Sequence, residues 1–369
     1  FDLAVKNHQE GKTDIAEELY NQVLKIDPNH SQAHNNLGVA FGALGENQKA
    51  KDCYEQAIKI NPNYADAHNN LGTIFQDLSE LQKAKECYKK AIEINPNYTD
   101  AHNNLGVVFG ALEEYQKAKG CYEQAIKINP DYANALNNLG VIFKELGENQ
   151  KAKECFEKAI KIDPNYANAL NNLGVLFKEL GDLQKTKECF EKAIKINPNN
   201  ANTHYNLGGM FQELGDLQKA QECFEKAIGI KPEHANAYNN LGNIFKLLKE
   251  NQKAKECYER AIAINPNYSS PHYNLGNIFQ EVGDLQKAQE CYEKAIELNP
   301  NYAKAYSNQG NTYKELGENQ KAKECYEKAI AINPNDADIL YNLGNIFRLL
   351  KENQKAIGCY EKAIEIDPN

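Results

Sequence analysis

Two residue types with chemical potential recur at a fixed interval through this 369-residue chain. Cysteine stands at Cys53, Cys87, Cys121, Cys155, Cys189, Cys223, Cys257, Cys291, Cys325 and Cys359, each 34 residues from the next. Asparagine stands at Asn36, Asn70, Asn104, Asn138, Asn172, Asn206, Asn240, Asn274, Asn308 and Asn342, with the same spacing. Thiols can bridge or hold zinc, but both need convergence. A disulfide requires Cα atoms within roughly 7 Å, and zinc requires ligands gathered around one point. No C-x-x-C pair occurs here, so each cysteine is expected to be a small buried apolar side chain. Ten free thiols favour a reducing compartment, and the cytoplasm is the expected location. The amides are a different case. Each carboxamide carries two donors and an acceptor and can pair with the C=O and N–H of an extended peptide. Asparagine is a mediocre helix former, so propensity does not account for ten of them.

Little else suggests reaction chemistry. There is no Gly-rich phosphate loop, nucleophile elbow or clustered acid pair, so no catalytic residue, metal or cofactor is expected and the chain reads as a non-enzyme. Glu145, Glu179 and Glu213 are expected to be solvated or to set specificity. The formal charge is -9, and arginine occurs only at Arg260 and Arg348. Nucleic-acid binding usually needs a clustered basic surface, so no such partner is expected. No apolar run approaches membrane-spanning length, so no membrane partner is expected either. No signal peptide is visible, although the sequence opens partway through a repeat.

The elements that position these residues follow from proline, which falls at 28 and every 34 residues thereafter to 368, with only Pro271 outside the series. A fixed short period means a solenoid, in which each unit buries its apolar face against its neighbours. The array is read as a single solenoid over 1–369: a partial unit at 1–30, then ten repeats starting at 31, 65, 99, 133, 167, 201, 235, 269, 303 and 337. In residues 133–166, Leu136, Leu139, Ile142, Phe143 and Leu146 form a helical stripe. Gly147 supplies a left-handed stop. A second stripe runs through Ala152, Cys155, Phe156, Ala159, Ile160 and Ile162, until Pro164 ends it. Each repeat is thus an all-α hairpin of helices A and B. Gly140 and Ala152 let the two approach closely, and Glu154 is placed to pair with Lys158 one turn on.

Leu139, Gly140, Phe143, Ala152, Phe156, Ala159 and Pro164 stand at repeat positions 7, 8, 11, 20, 24, 27 and 32, and this pattern resembles the tetratricopeptide repeat. The resemblance covers the whole chain. Gln309 departs at a leucine, Thr186 at an alanine, and Ala4 at a glycine of the partial unit. It implies a right-handed superhelix of more than one turn, with helix A lining a concave groove and helix B on the convex side. Positions 3, 7, 10 and 14 of helix A should then be buried, and 2, 5, 6, 9, 12 and 13 should face the groove. The asparagine column falls at position 6 and would grip peptide backbone with little regard to sequence. This ladder resembles the tetratricopeptide superhelix of the O-linked N-acetylglucosamine transferase type, in which groove asparagines hold substrate peptides. Histidine at position 4, as at His34, His68, His102 and His204, is expected to pack at the groove edge.

Position 9 turns from valine or threonine to Asn243, Asn277, Asn311 and Asn345 in later repeats, while Tyr205, Tyr273 and Tyr341 replace asparagine at position 5. A doubled amide row with aromatic platforms should make the C-terminal half the stronger binder. Two other origins for the ladder stay open: recent duplication, or amides bonded only to the neighbouring helix. Position 2 varies, which argues against duplication, yet Gln150 and Lys151 mark equally invariant columns without an obvious ligand role. A carboxylate clamp is disfavoured, because Lys304 is the only basic residue at position 2. The leading expectation is a scaffold holding extended or disordered protein segments. The alternatives are the substrate-recognition arm of a larger glycosyltransferase, and end-to-end self-association through exposed residues such as Ile357, Tyr360 and Ile364.

Overall fold

A computed structural model describes residues 1–368 of the chain. Among them there are 22 α-helices and no strands, and they form two compact units. The first unit, Phe1–Ile196, holds α1 (Asp2–Gln9), α2 (Thr13–Ile26), α3 (Ser31–Ala43), α4 (Asn47–Ile60), α5 (Ala65–Asp77), α6 (Leu81–Ile94), α7 (Thr99–Ala111), α8 (Tyr115–Ile128), α9 (Ala133–Glu145), α10 (Asn149–Ile162), α11 (Ala167–Glu179) and α12 (Leu183–Ile196). The second, from Asn197, holds α13 (Ala201–Glu213), α14 (Leu217–Ile230), α15 (Ala235–Leu247), α16 (Asn251–Ile264), α17 (Ser269–Glu281), α18 (Leu285–Leu298), α19 (Ala303–Glu315), α20 (Asn319–Ile332), α21 (Ala337–Leu349) and α22 (Asn353–Ile366). Odd-numbered helices are the first of each pair and even-numbered ones the second. Each pairs with its successor, the arrangement of a tetratricopeptide solenoid.

Within each unit, first helices also touch the next first helix, as α3 touches α5, α5 touches α7, and α15 touches α17, while second helices make no comparable contact with each other. The first helices therefore crowd on the inner side of each unit. Close approach inside a pair depends on the glycine at position 8. A Cβ on Gly140 would lie 2.6 Å from Cε1 of Phe156, and one on Gly242 would lie 2.5 Å from Cε1 of Tyr258. The turn between paired helices needs a left-handed residue, supplied by Gly147 at φ 74°. In four repeats a non-glycine residue, Ser79, Glu113, Lys249 or Lys351, takes that conformation.

The two invariant columns on the second helices have local work to do. Lys151 pairs with Glu148 and lies 5.4 Å above the Phe143 ring. Gln150 donates from Nε2 to Glu154 Oε1 at 3.0 Å. Lysine and glutamine here fasten the turn and the first helical turn to the ring beneath, so their invariance is structural. Glu154 is thereby taken by Gln150, and the expected pair with Lys158 does not form. The ion pair on this face is Lys153–Glu157.

Two further expectations change. Position 14 joins the core only in part: Leu112, Leu146 and Leu350 are half-buried against it, whereas Leu180, Leu214 and Val282 are 52%, 53% and 65% exposed. It is the C-cap of the first helix, where the chain turns toward the second. Position 5 does not face outward where it is asparagine, since Asn35, Asn69, Asn103, Asn137 and Asn239 are buried. The neighbouring first helix covers them. The core is least apolar in α19, where Gln309 and Thr312 fill positions held elsewhere by leucine and by isoleucine, leucine, valine, alanine or methionine.

Candidate peptide-binding face

All ten asparagines at position 6 are half-buried on the first helices, on the crowded inner side of the units. From Asn70 to Asn172 in the first unit, and from Asn240 to Asn308 in the second, they are tied into a ladder between repeats. In the first unit Asn70 Nδ2 donates to Asn35 Oδ1 at 3.1 Å, Asn104 to Asn69 at 3.2 Å, Asn138 to Asn103 at 3.1 Å, and Asn172 to Asn137 at 2.9 Å. Each position-6 oxygen also accepts from the position-5 amide of its own helix, as Asn103 Nδ2 donates to Asn104 Oδ1 at 3.2 Å. A carboxamide has two N–H groups and two lone pairs. Asn104 and its equivalents in this unit thus spend one of each on the fold and keep one of each.

The second unit divides the labour differently. Asn240 Nδ2 donates to the Tyr205 hydroxyl at 3.3 Å, and Asn308 Nδ2 to the Tyr273 hydroxyl at 3.2 Å. Tyrosine at position 5 thus replaces asparagine as the acceptor. Asn274 Nδ2 also reaches Asn243 Oδ1 at 3.0 Å, and Asn308 Nδ2 reaches Asn277 Oδ1 at 2.8 Å. Both hydrogens of Asn274 and Asn308 are therefore used. The position-9 oxygens also accept from the second helix: Tyr258 donates to Asn243 at 2.9 Å, Tyr292 to Asn277 at 2.8 Å, Tyr326 to Asn311 at 2.6 Å and Tyr360 to Asn345 at 3.0 Å. With oxygen turned inward to hydroxyls, the amino groups of Asn243, Asn277 and Asn345 are turned away from that network.

The sequence reading missed this coupling, although its signal is present. Every asparagine at position 9 comes with tyrosine at position 24 and none with Phe156, Phe190 or Phe224, although Tyr54 and Tyr122 stand with Val39 and Val107, so the pairing runs one way. The aromatic residues at position 5 are less a platform than part of a cluster. Tyr205 lies 5.0 Å from the His234 ring and Tyr273 lies 5.0 Å from the Tyr302 ring, centroid to centroid. Only Tyr341 is openly exposed, at 57%. The position-4 histidines seal the edge between repeats through their own bond: Nε2 of His34, His68, His102, His204 and His272 lies 2.9–3.2 Å from a proline carbonyl six residues earlier.

The cysteines are free, and burial pushes the thiols of Cys53, Cys87 and Cys155 up to about 11, with neighbouring carboxylates contributing. Thiolate is the reactive form, so these are packing groups at neutral pH. Among the described residues no group of three or more His, Cys, Asp or Glu could hold a metal ion. No helix is long and apolar enough to cross a membrane.

Comparison with known proteins agrees with this architecture. Residues 3–199 match the family described as Cilia and flagella-associated protein 70 C-terminal domain, a tetratricopeptide domain. Tetratricopeptide repeat models match residues 199–335 in overlapping spans, and 337–369. No curated protein matches. Among solved structures, a chain of the APC/C hetero-tetramer Cut9-Hcn1 aligns with a TM-score of 0.56 at 15% identity, covering 99% of this chain and 92% of that one. A Pseudomonas aeruginosa pilF structure aligns with a TM-score of 0.50 at 22% identity, covering 56% of this chain and 94% of that one. These likenesses are of fold. With the period, the packing glycines and the family matches in agreement, the chain belongs to the tetratricopeptide-repeat family, its residues 3–199 to the branch described as the Cilia and flagella-associated protein 70 C-terminal domain.

Proposed function

Tetratricopeptide arrays are protein-interaction scaffolds, and we propose that this one holds extended peptide segments against its first helices by hydrogen bonds to their backbone. The half-used amide carries this reading. Each ladder asparagine of the first unit is fixed by two bonds and retains one donor and one acceptor, which is what an extended backbone presents in return. In the second unit the acceptor is the oxygen of Asn274, and the donors are the amino groups of Asn243, Asn277 and Asn345. A rigid amide loses little freedom on binding, so its bond to peptide is worth more than that of a free surface side chain. The two rows lead us to assign the tighter grip to the C-terminal repeats. In this reading the partner is a disordered protein segment, and the chain itself is not catalytic. A glycosyltransferase recognition arm would use the same ladder, and Ser/Thr-rich peptides address that case.

The test is a fluorescence-anisotropy titration of a pool of unstructured peptides, Ser/Thr-rich ones included. The native chain is compared with Asn243→Ala/Asn274→Ala/Asn277→Ala, after confirming equal helicity. Loss of binding by about tenfold or more supports the grip, at about 1 kcal/mol per lost bond. Equal binding would return the ladder to a purely structural role.

A further inference from the structure

The histidine column is interrupted at Leu136, Leu170, Tyr238, Tyr306 and Leu340, and at the two adjacent leucines, Leu136 and Leu170, the break coincides with a second feature. Lysine occupies both positions 26 and 29 in only two repeats, as Lys158 with Lys161 and Lys192 with Lys195. The other repeats pair one basic residue there with glutamine, glutamate, glycine or alanine, as at Lys90 with Glu93 or Arg260 with Ala263. The two repeats with double lysine are the two adjacent repeats whose histidine has become leucine.

The structure shows what the change opens. Leucine has no donor, so the carbonyls of Pro130 and Pro164 lose the partner that His34 or His102 supplies elsewhere. A cleft of about 700 Å³ lies between the C-terminal ends of α8 and α10 and the first turn of α9. Ile126, Pro130, Leu136 and Ile162 form its apolar lining, and Lys158, Lys161 and Asp131 form its charged rim. Leu136 packs against Ala159 and Ala169, and Leu170 repeats the arrangement against Ala193 and Ile196 one repeat on. All four lysines are exposed and none has an ion pair within the first unit, Glu154 being occupied by Gln150. Asp131 and Asp163 are the acids on the intervening loops, so positive charge predominates locally on a chain whose net charge is -9.

We infer that this edge is a second peptide-docking surface, distinct from the asparagine ladder, and that it takes an acidic extended segment with aliphatic residues three apart. The spacing sets the register. Neighbouring repeats stand about 10 Å apart, and in a polyproline II segment residues three apart share one face and advance about 9 Å. Leu136 and Leu170 are themselves buried, so one aliphatic side chain would sit between Ile126 and Ile162 and the next between Ile160 and Ile196 one repeat on. A backbone N–H would replace the missing histidine at the proline carbonyl, and carboxylates would face the lysine pairs.

The test uses a fluorescein-labelled aspartate octapeptide with leucine at its third and sixth places, titrated by anisotropy against the full chain. We expect affinity to fall by about tenfold or more in Lys158→Glu/Lys161→Glu/Lys192→Glu/Lys195→Glu, and to fall with added salt. It should also fall in Leu136→His/Leu170→His, which rebuilds the histidine column. Circular dichroism checks folding of that variant, and the charge reversal decides should it unfold. The triple asparagine variant should bind this probe as the native chain does, which separates failure of this inference from failure of the ladder. Absence of binding, equal binding by the charge-reversed chain, or equal binding of an all-aspartate peptide would overturn the inference.

Discussion

Gly140 and the ring of Phe156 show how little tolerance a repeat has at its centre. A Cβ there would stand 2.6 Å from the ring edge, and the ring is fully buried, so neither side can yield. Gly140→Ala should cost about 1–3 kcal/mol by overpacking, read as a lowered urea midpoint. The thiols make an independent test of burial. At pH 7.5 the folded chain should react slowly with an aromatic disulfide reagent, and all ten cysteines should react once it is denatured. Rapid reaction in the folded state would contradict thiols raised to about 11. At this scale the sequence carried the position-6 column in plain view but hid its neighbour. Asn103 and Asn104 are identical in type and adjacent in chain, yet one is buried and the other half-buried. Burial by the next repeat depends on where neighbouring helices cross, which a single repeat does not reveal.

The pairing of two helices in each repeat was legible, because proline and the two apolar stripes recur in every repeat and glycine marks most of the turns. What escaped was local cost. Ser79, Glu113, Lys249 and Lys351 hold φ near 60° at the turn, where seven turns use glycine. Lys249→Gly should therefore raise stability by about 1 kcal/mol, measured by chemical denaturation. The α19 helix carries a different cost. Gln309 and Thr312 are buried where neighbours carry aliphatic side chains, and Cys325 Sγ donates to Gln309 Oε1 at 3.4 Å as partial compensation. Repeat arrays are stabilised by neighbour-to-neighbour terms, so they open first at their weakest interface. Amide exchange should be faster in α19 than in α9, and Gln309→Leu/Thr312→Ile should slow it. Equal protection in the two helices would contradict this.

Across the molecule, a 34-residue period was enough to give the fold class, because hairpins that cannot bury a face alone must stack. It was not enough to give the use of the surface. The ladder's bonds between residues 35 apart serve packing, and recognition by the donors and acceptors left over is the role we propose for it. The paired change of His to leucine and of one lysine to two was equally visible in the letters, but only the cleft gives it meaning. The central claim is that the ladder grips backbone rather than side chains. It is tested most directly by the affinity of the best-binding peptide against an analogue in which alternate amides are replaced by esters, with every side chain kept. Deleting those N–H donors should weaken binding by about tenfold or more, while scrambling the side chains should change it little. Unchanged affinity for the ester, with loss on scrambling, would contradict that claim.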